Sequence, residues 1–389
     1  MKKVVRIAAN IETNRAHGRS LLLGLAEVCA AHDDWQLEPV SDEMLKNPAK
    51  IQHFDGLIVR VMDDETADAL IASGKPVIDT YGRIEGNPLP FIRLDDKSIA
   101  ESAFACFAGH RYTRLAYCGF PGIRFSDARG AHFARLAEAH GGACATYRGS
   151  AAGRLRDTYF KNEKMDFVGD ARPLRGWVKS LPKPIAVFCC NDIRAYHLLK
   201  VCGDEGIDVP REVAVIGVDN DPLVCAFAQP TLSSIDTGAA EIGRISVRML
   251  EMLMGNPRNP PANVLHKVGG VVERRSTEAY DVRVEWLSDA LVFIRRKLGE
   301  GVSAGDVIRR VGLSHTAVNA AFRKELGRSV QQEIIHQRRE RACRMLAETG
   351  LSAAAISAEC GYPSPQYFAH RFLAWFGTTP DAWRRSARR

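Results

Sequence analysis

Through the first 280 residues, short apolar runs alternate with stretches of helical period. The apolar runs fall at 4–8, 57–61, 76–79, 91–94, 115–119, 185–190 and 213–219. Between them, apolar residues recur at three- and four-residue intervals, as in Leu21, Leu22, Leu25 and Val28. Further helical stretches are expected over 65–73, 98–108, 128–140, 192–203 and 238–254. Strand–helix alternation predicts an α/β fold with parallel sheets covered by helices on both faces. The stretch is long for one compact sheet, so two α/β lobes are expected.

From Val284 onward the period is helical only. A helix through Leu287, Leu291, Ile294 and Leu298 is stopped by Gly299 and Gly301. Two helix–turn–helix patterns follow, at about 303–325 and 352–375. In the first, Val307, Ile308 and Val311 face inward, Gly312 turns the chain, and Ser314 caps a helix whose Val318 and Phe322 face inward. In the second, Gly361 supplies the turn, Ser364 the cap and Pro365 the first helical position, with Phe368 and Phe372 inward. The two turn glycines are 49 residues apart. Between the hairpins, 330–348 reads as one helix of about 28 Å at ~1.5 Å per residue. That is close to the roughly 34 Å between successive major grooves on one face of DNA.

Charge sharpens this picture. The chain of 389 residues carries a formal +7. Residues 281–389 hold 18 Lys and Arg against 11 Asp and Glu, while the first 280 hold 35 of each. The entire excess therefore sits in the helical C-terminal part, as a polyanion-binding module requires; a solvated basic surface is the alternative. On the outward faces, His315, Thr316 and Asn319 in one hairpin, with Ser364, Gln366 and His370 in the other, are the candidates for base edges in adjacent major grooves of double-stranded DNA. Arg323 and Arg371 are better suited to phosphates.

Other classes are excluded or weakened. No apolar run approaches the roughly 18 residues of a membrane span, so no membrane partner is expected. The opening Met1-Lys2-Lys3 followed by Val4-Val5 reads as a first strand and not as a signal peptide, which implies a cytoplasmic protein. The ten cysteines form no C-x-x-C pair, so buried free thiols are expected. No phosphate-binding loop, nucleophile elbow or metal-ligand spacing occurs; no catalytic residue, metal or cofactor is assigned, and an enzyme is not expected. In α/β folds, ligands gather at the carboxyl ends of strands. Three such ends carry polar clusters: Asn14, Arg15 and His17; Asn191 and Asp192; and Asp219 with its neighbours. Asp and Asn suit sugar hydroxyls, although each cluster could equally serve as a helix cap. Arg129 is a further candidate, or an ordinary surface arginine.

The run Asn191-Asp192, then 213–221, 230–235 and 271–277, resembles the sugar-sensing core of LacI-type regulators, over roughly residues 4–278. The resemblance implies two lobes closing on a small sugar, with Arg129, Asn191, Asp192 and Asp219 as its contacts, and dimerisation through the core. LacI-type repressors carry their DNA-binding headpiece ahead of the core, so here the reader is expected at the other end. Residues 284–384 are similar to the AraC/XylS family of transcription activators. The matching phrases are 311–314, 322–327, 338–346, 356–362, 367–372 and 376–380. Ala320 stands where many relatives place a longer polar side chain.

The fused layout resembles that of xylose-operon regulators. It implies a sugar-responsive transcription regulator, an activator of pentose genes; a repressor or activator answering to a different sugar, and a carbohydrate-binding transport protein, are the alternatives. The implied partners are D-xylose as effector, a second copy as homodimer partner, and RNA polymerase. The expected domains are an effector and dimerisation domain over 1–278, a linker over 279–283, and a DNA-binding domain over 284–389.

Overall fold

The computed structural model describes residues 4–387, apart from 85, 150–163 and 166–168. It divides into two compact units. The first comprises the chain to Phe107 and Arg114–Thr277; the second comprises Ala108–Thr113 and everything from Glu278.

The first unit opens with β1 (Val5–Asn10), α1 (Ala16–Cys29), β2 (Trp35–Pro39), α2 (Asp42–Leu45), β3 (Gly56–Val59), α3 (Asp64–Ala72), β4 (Val77–Asp79) and β5 (Ile92–Leu94). It continues with α4 (Asp96–Gly109), β6 (Leu115–Cys118), α5 (Arg124–Ala139), β7 (Cys144–Thr146), α6 (Ala171–Ser180), β8 (Ile185–Cys189), α7 (Asp192–Asp204), β9 (Val213–Val218) and α8 (Pro222–Phe227). It closes with β10 (Ser233–Ile235), α9 (Ala239–Gly255), β11 (Val264–His266), β12 (Val271–Val272) and a 3-10 turn at Arg275–Thr277.

Two main sheets result, ordered β2-β1-β3-β4 and β12-β10-β9-β8-β6-β7, with β5 and β11 as a separate parallel pair. Every pairing is parallel except β10 with β12. β3, β8 and β9 are buried along their whole length, which is why they read as unbroken apolar runs. The sequence pattern did not predict β2, β7, β10, β11, β12, α2, α6 or α8. β2 is only half-buried and ends on a proline, and α8 is six residues long, so neither carries a clear period.

The chain changes lobes late. α9 follows β10 of the second sheet yet packs on the first, where Ile242, Val247, Leu250 and Leu253 join Ile7, Leu21, Leu25, Ile58 and Ile78 in one core. Two glycines allow α1 and α9 this close approach. A Cβ on Gly24 would lie 1.9 Å from the Ala240 carbonyl oxygen, and one on Gly243 would lie 2.2 Å from that of Leu21.

The second unit is helical: α10 (Glu285–Arg296), α11 (Ala304–Val311), α12 (His315–Leu326), α13 (Val330–Glu348), α14 (Ala353–Glu359), α15 (Pro365–Phe376) and α16 (Pro380–Ala387). Serine side chains cap these helices, those of Ser314 and Ser364 as the sequence predicts. Ser303 forms a capping box with Asp306, Ser329 forms one with Gln332, and Ser314, Ser352 and Ser364 each accept a backbone N–H three residues on. Gly312 and Gly361 both take the left-handed conformation at the turns. Two cores share α13. Val330 and Ile334 at its start pack with Leu291, Val307, Val318 and Phe322. Ala342 and Leu346 near its end pack with Ile356, Cys360, Phe368 and Phe372.

Residues 108–113 complete this unit. His110 Nδ1 lies 2.7 Å from the Ala279 carbonyl oxygen, and Arg295 Nη1 lies 2.7 Å from His110 Nε2. Arg111, in the left-handed region at φ 68°, donates to the Glu325 carbonyl at 2.9 Å. All ten cysteines are free thiols.

The glycine contacts yield a paired prediction for stability in urea. Gly243→Ala, forced against backbone, should lose about 1–3 kcal/mol or more. Gly203→Ala, in α7 with open space around it, should gain about 0.5–1 kcal/mol. Equal midpoints for the two variants would refute the close-packing account.

Candidate functional site

The carboxyl ends of six strands of the first unit converge on one pocket. After β1 come Glu12, Arg15 and His17; after β3, Arg60; after β4, Thr80 and Tyr81; after β5, Asp96; after β8, Asn191; after β9, Asp219. Helix α5, which follows β6, adds Arg124, Phe125 and Arg129. The empty volume, open mouth included, is about 710 Å³.

Arg129 is the anchor. It is 3% exposed; its Nε donates to Asp96 Oδ1 at 3.0 Å and its Nη1 to the Cys190 carbonyl at 2.5 Å. Its guanidinium lies 4.8 Å from the Phe125 ring centre. Burial disfavours the charge, but Asp96 and Asp219 beside it outweigh that and raise its pKa. It is thus no surface arginine.

Asp219 takes a positive φ of 109°, and Asn220 follows at 48°. Asparagine tolerates the left-handed region, but a φ of 109° is strained for aspartate, and such strain persists where the surroundings enforce it. Here the Asp219 N–H donates to the Ile235 carbonyl at 3.1 Å. Burial pushes the Asp219 carboxyl up to about 6, against the pull of Arg129 and Arg15. His17 is shifted the other way, to about 4, by burial first and then by Arg129 and Arg15. It is a neutral imidazole at pH 7, with Nδ1 3.2 Å from Thr237 Oγ1. Asn191 lines the pocket and also caps α7, its side-chain oxygen accepting the Arg194 N–H at 2.9 Å.

Two sequence expectations need correction here. Asn14 is exposed and does not line the pocket; the chain turns at Arg15, the residue capping α1, which points inward instead. Asp192 is 2% exposed and also does not line it. Its Oδ1 accepts the Ser234 hydroxyl at 2.5 Å and its Oδ2 the Asp221 N–H at 2.8 Å. It therefore braces the strained 219–221 turn from behind. Gly217 makes room for it, since a Cβ there would lie 2.2 Å from Asp192 Oδ1.

The sequence reading missed Glu12, Arg60, Thr80, Tyr81, Asp96 and Arg124. Arg60 forms an ion pair with Glu12 and lies 4.3 Å over the Tyr81 ring. A common signal existed, since Arg60, Thr80 and Asp96 each stand within two residues of a strand's end.

On the helical unit, α12 exposes His315, Thr316, Ala320 and Arg323, and α15 exposes Gln366, Tyr367 and His370. Ser364, half-buried, caps α15 by accepting the Tyr367 N–H at 3.1 Å. Arg371 is half-buried, with its guanidinium 5.3 Å over the Trp375 ring. Asn319 does not point outward as expected. It is 9% exposed, donates to the His315 carbonyl at 3.0 Å, and accepts the Val330 N–H at 3.2 Å. At about 100° per residue it stands roughly 60° round the helix from buried Phe322, at the edge of the inward face. Its amide caps the first turn of α13.

Residues 104–277 match the family described as a periplasmic binding protein-like domain, and residues 307–386 match a helix-turn-helix domain. The xylose operon regulatory protein of Escherichia coli K12 is 28% identical over 97% of this chain and 96% of its own length. That of Haemophilus influenzae is 26% identical over 97% and 98%. The solved structure of the xylose-binding transcription activator XylR matches with a TM-score of 0.61 at 27% identity, covering 99% of both chains. The CelR–cellobiose complex, at 19% identity and a TM-score of 0.57, covers 71% of this chain and 86% of its own, and shares the fold.

The upward shift of Asp219 gives a pH prediction. Its ionised form is penalised in the folded chain, so the penalty grows as pH rises from about 4 and is complete above about 6. Asp219→Asn should stabilise the ligand-free protein by up to about 3 kcal/mol at pH 8 and by almost nothing at pH 4. The destabilising shift of His17 is common to both proteins and cancels. Urea midpoints at the two pH values measure this; a pH-independent difference would contradict it.

Proposed function

We propose that this chain, a sugar-responsive DNA-binding transcription regulator of the xylose-operon kind, takes a pentose such as D-xylose at the strand-end pocket and activates pentose genes. The carrying observation is that one chain joins a pocket of paired arginines and carboxylates to two capped helix–turn–helix units. Carboxylates and guanidiniums alternating around a pocket are suited to vicinal hydroxyls, each of which donates to one and accepts from the other.

α4 offers a route from pocket to reader. Its first residue, Asp96, holds Arg129 in the pocket, and its last two residues belong to the helical unit. A ligand that draws on Arg129 or Asp219 changes the forces on the head of this helix, and residues 110–111 sit at its foot against Ala279 and Glu325. The signal needs differential affinity of the sugar for two arrangements of the chain, and nothing more.

On DNA, Gln366 and His370 of α15 and His315 and Thr316 of α12 read base edges, while Arg323 and Arg371 hold phosphates. α13 spaces the two readers by about 28 Å, suiting adjacent major grooves. The chain acts in the cytoplasm as a homodimer, with RNA polymerase as its further partner, and turns over no sugar. No described helix is long and apolar enough to cross a membrane.

Two measurements test this reading. D-xylose at millimolar concentration should raise the melting temperature and change the affinity for operator DNA by the same coupling factor in both directions. If no pentose or hexose stabilises the chain, the sensor assignment fails. Gln366→Ala should cost about 1–3 kcal/mol at one base pair, whereas Arg323→Ala should weaken all sequences alike and flatten the salt dependence. The reverse pattern would exchange the two roles.

A further inference from the structure

The turn after β9 serves more than the pocket. Asp219 lines the pocket, whereas Asn220, the next residue, does not. Asn220 keeps a positive φ of 48°, and its side-chain amide holds two other segments of the first unit. Its Nδ2 donates to Asp236 Oδ2 at 3.2 Å, and its Oδ1 accepts from Arg274 Nη2 at 2.7 Å. Asp236 belongs to the crossover by which the chain changes lobes. Its Oδ1 accepts the Gly238 N–H at 2.9 Å, and Gly238 takes the left-handed conformation directly ahead of α9. Thr237, between them, is the residue whose hydroxyl lies 3.2 Å from His17. Closure of two lobes turns the backbone that joins them. Asp236 is exposed, so water replaces its bond to Asn220 at little cost.

Arg274 belongs to the segment by which the chain leaves the first unit. Its Nη1 donates to the Leu232 carbonyl at 2.9 Å, and its backbone N–H donates to Ser233 Oγ at 2.7 Å. Beyond it, Ser276 and Thr277 are fully buried. Ser276 Oγ donates to the Val215 carbonyl at 2.7 Å, and Thr277 Oγ1 lies 2.7 Å from Ser233 Oγ. Glu278 then begins the helical unit. The exit is thus pegged to β9 and β10, and the Arg274 guanidinium ties that peg to the turn carrying Asp219.

We infer that Arg274 is a positioning residue for the sugar response, acting through the Asn220 amide. One planar amide holds both the crossover and the exit. A ligand that draws on Asp219 or turns the crossover therefore changes the bond that Arg274 makes. The segment leaving for the reader is then held differently in the two states, which is the differential contact that coupling requires. The inference rests on the strand-end pocket being the effector site, and it does not depend on α4.

A double-mutant cycle on the full chain decides it, with Arg274→Met, Asn220→Gly and the double variant. Glycine keeps the positive φ at position 220 while removing the amide. The probes are D-xylose and a DNA duplex that the parent chain selects from random sequence. The quantity read is the coupling factor, the ratio of duplex affinities with and without saturating sugar. In each single variant it should move about threefold or more towards one, and the double variant should match the singles. D-Xylose affinity without DNA should stay close to the parent's, because the Ile235 carbonyl and Asp192 still hold the turn. A parent-like factor in both single variants, whatever their melting temperatures, would mean a structural role only and overturn the inference, leaving the sensor reading standing. Losses that add in the double variant would show that Arg274 does not act through Asn220, and would overturn it as well. A factor of one in the parent chain would overturn the sensor reading and the inference together. Should Arg274→Met not fold, Arg274→Lys makes the same comparison, since it keeps the charge and loses the fork that joins Leu232 to Asn220.

Discussion

The buried pairing of Arg129 with Asp96 is the interaction on which the rest of the pocket depends. Ionised groups taken out of water are tolerated only when paired and fully hydrogen-bonded; removing one partner of such a pair costs about 3–5 kcal/mol. Here a single guanidinium ties the start of α4 to the Cys190 carbonyl just after β8 and lies over the Phe125 ring. It also lends Asp219 part of the attraction that keeps its buried carboxyl from rising further. Three strand ends are thereby held at one place by one side chain. Asp192 and Gly217 hold the strained turn at Asp219 from the opposite side.

The helical unit solves its own version of this problem with α13. A pair of small helical hairpins cannot each bury much apolar surface alone. Placing one core on the first turns of a 19-residue helix and another on its last turns lets both share a rod. Asn319 belongs to that solution. Its amide satisfies an N–H that the helix start would otherwise leave unpaired.

The elements of the fold were legible only in part from the chain. Fully buried strands such as β8 and β9 announce themselves as unbroken apolar runs, and the caps of the helical unit stand in the sequence as serine and glycine at fixed offsets. Half-buried β2 and six-residue α8 leave no comparable trace. For the pocket, Arg15, His17, Asn191 and Asp219 were visible because polar residues cluster at their strand ends, and Arg129 through the resemblance to LacI-type cores. Arg60, Tyr81 and Asp96 stand almost alone in sequence, and only the fold brings them together. Asn14 and Asp192 were misread for one reason: a strand end sets where a residue sits, while the local turn decides which way its side chain faces. Asn319 failed on a finer point, since a residue at the edge of a helix face can go either way.

The allocation of residues 108–113 has a consequence for how such a protein can be taken apart or assembled. A reader cut out at residue 284 would lose both Ala279 and the short piece that supplies His110 and Arg111, leaving Arg295 and the Glu325 carbonyl without those bonds. The two units are therefore not cassettes joined at one seam. The chain passes from one to the other three times, so exchanging sensors between regulators of this layout means transplanting a loop from deep within the sensor's sequence along with the reader. Recombination at a single crossover would separate parts that fold as one.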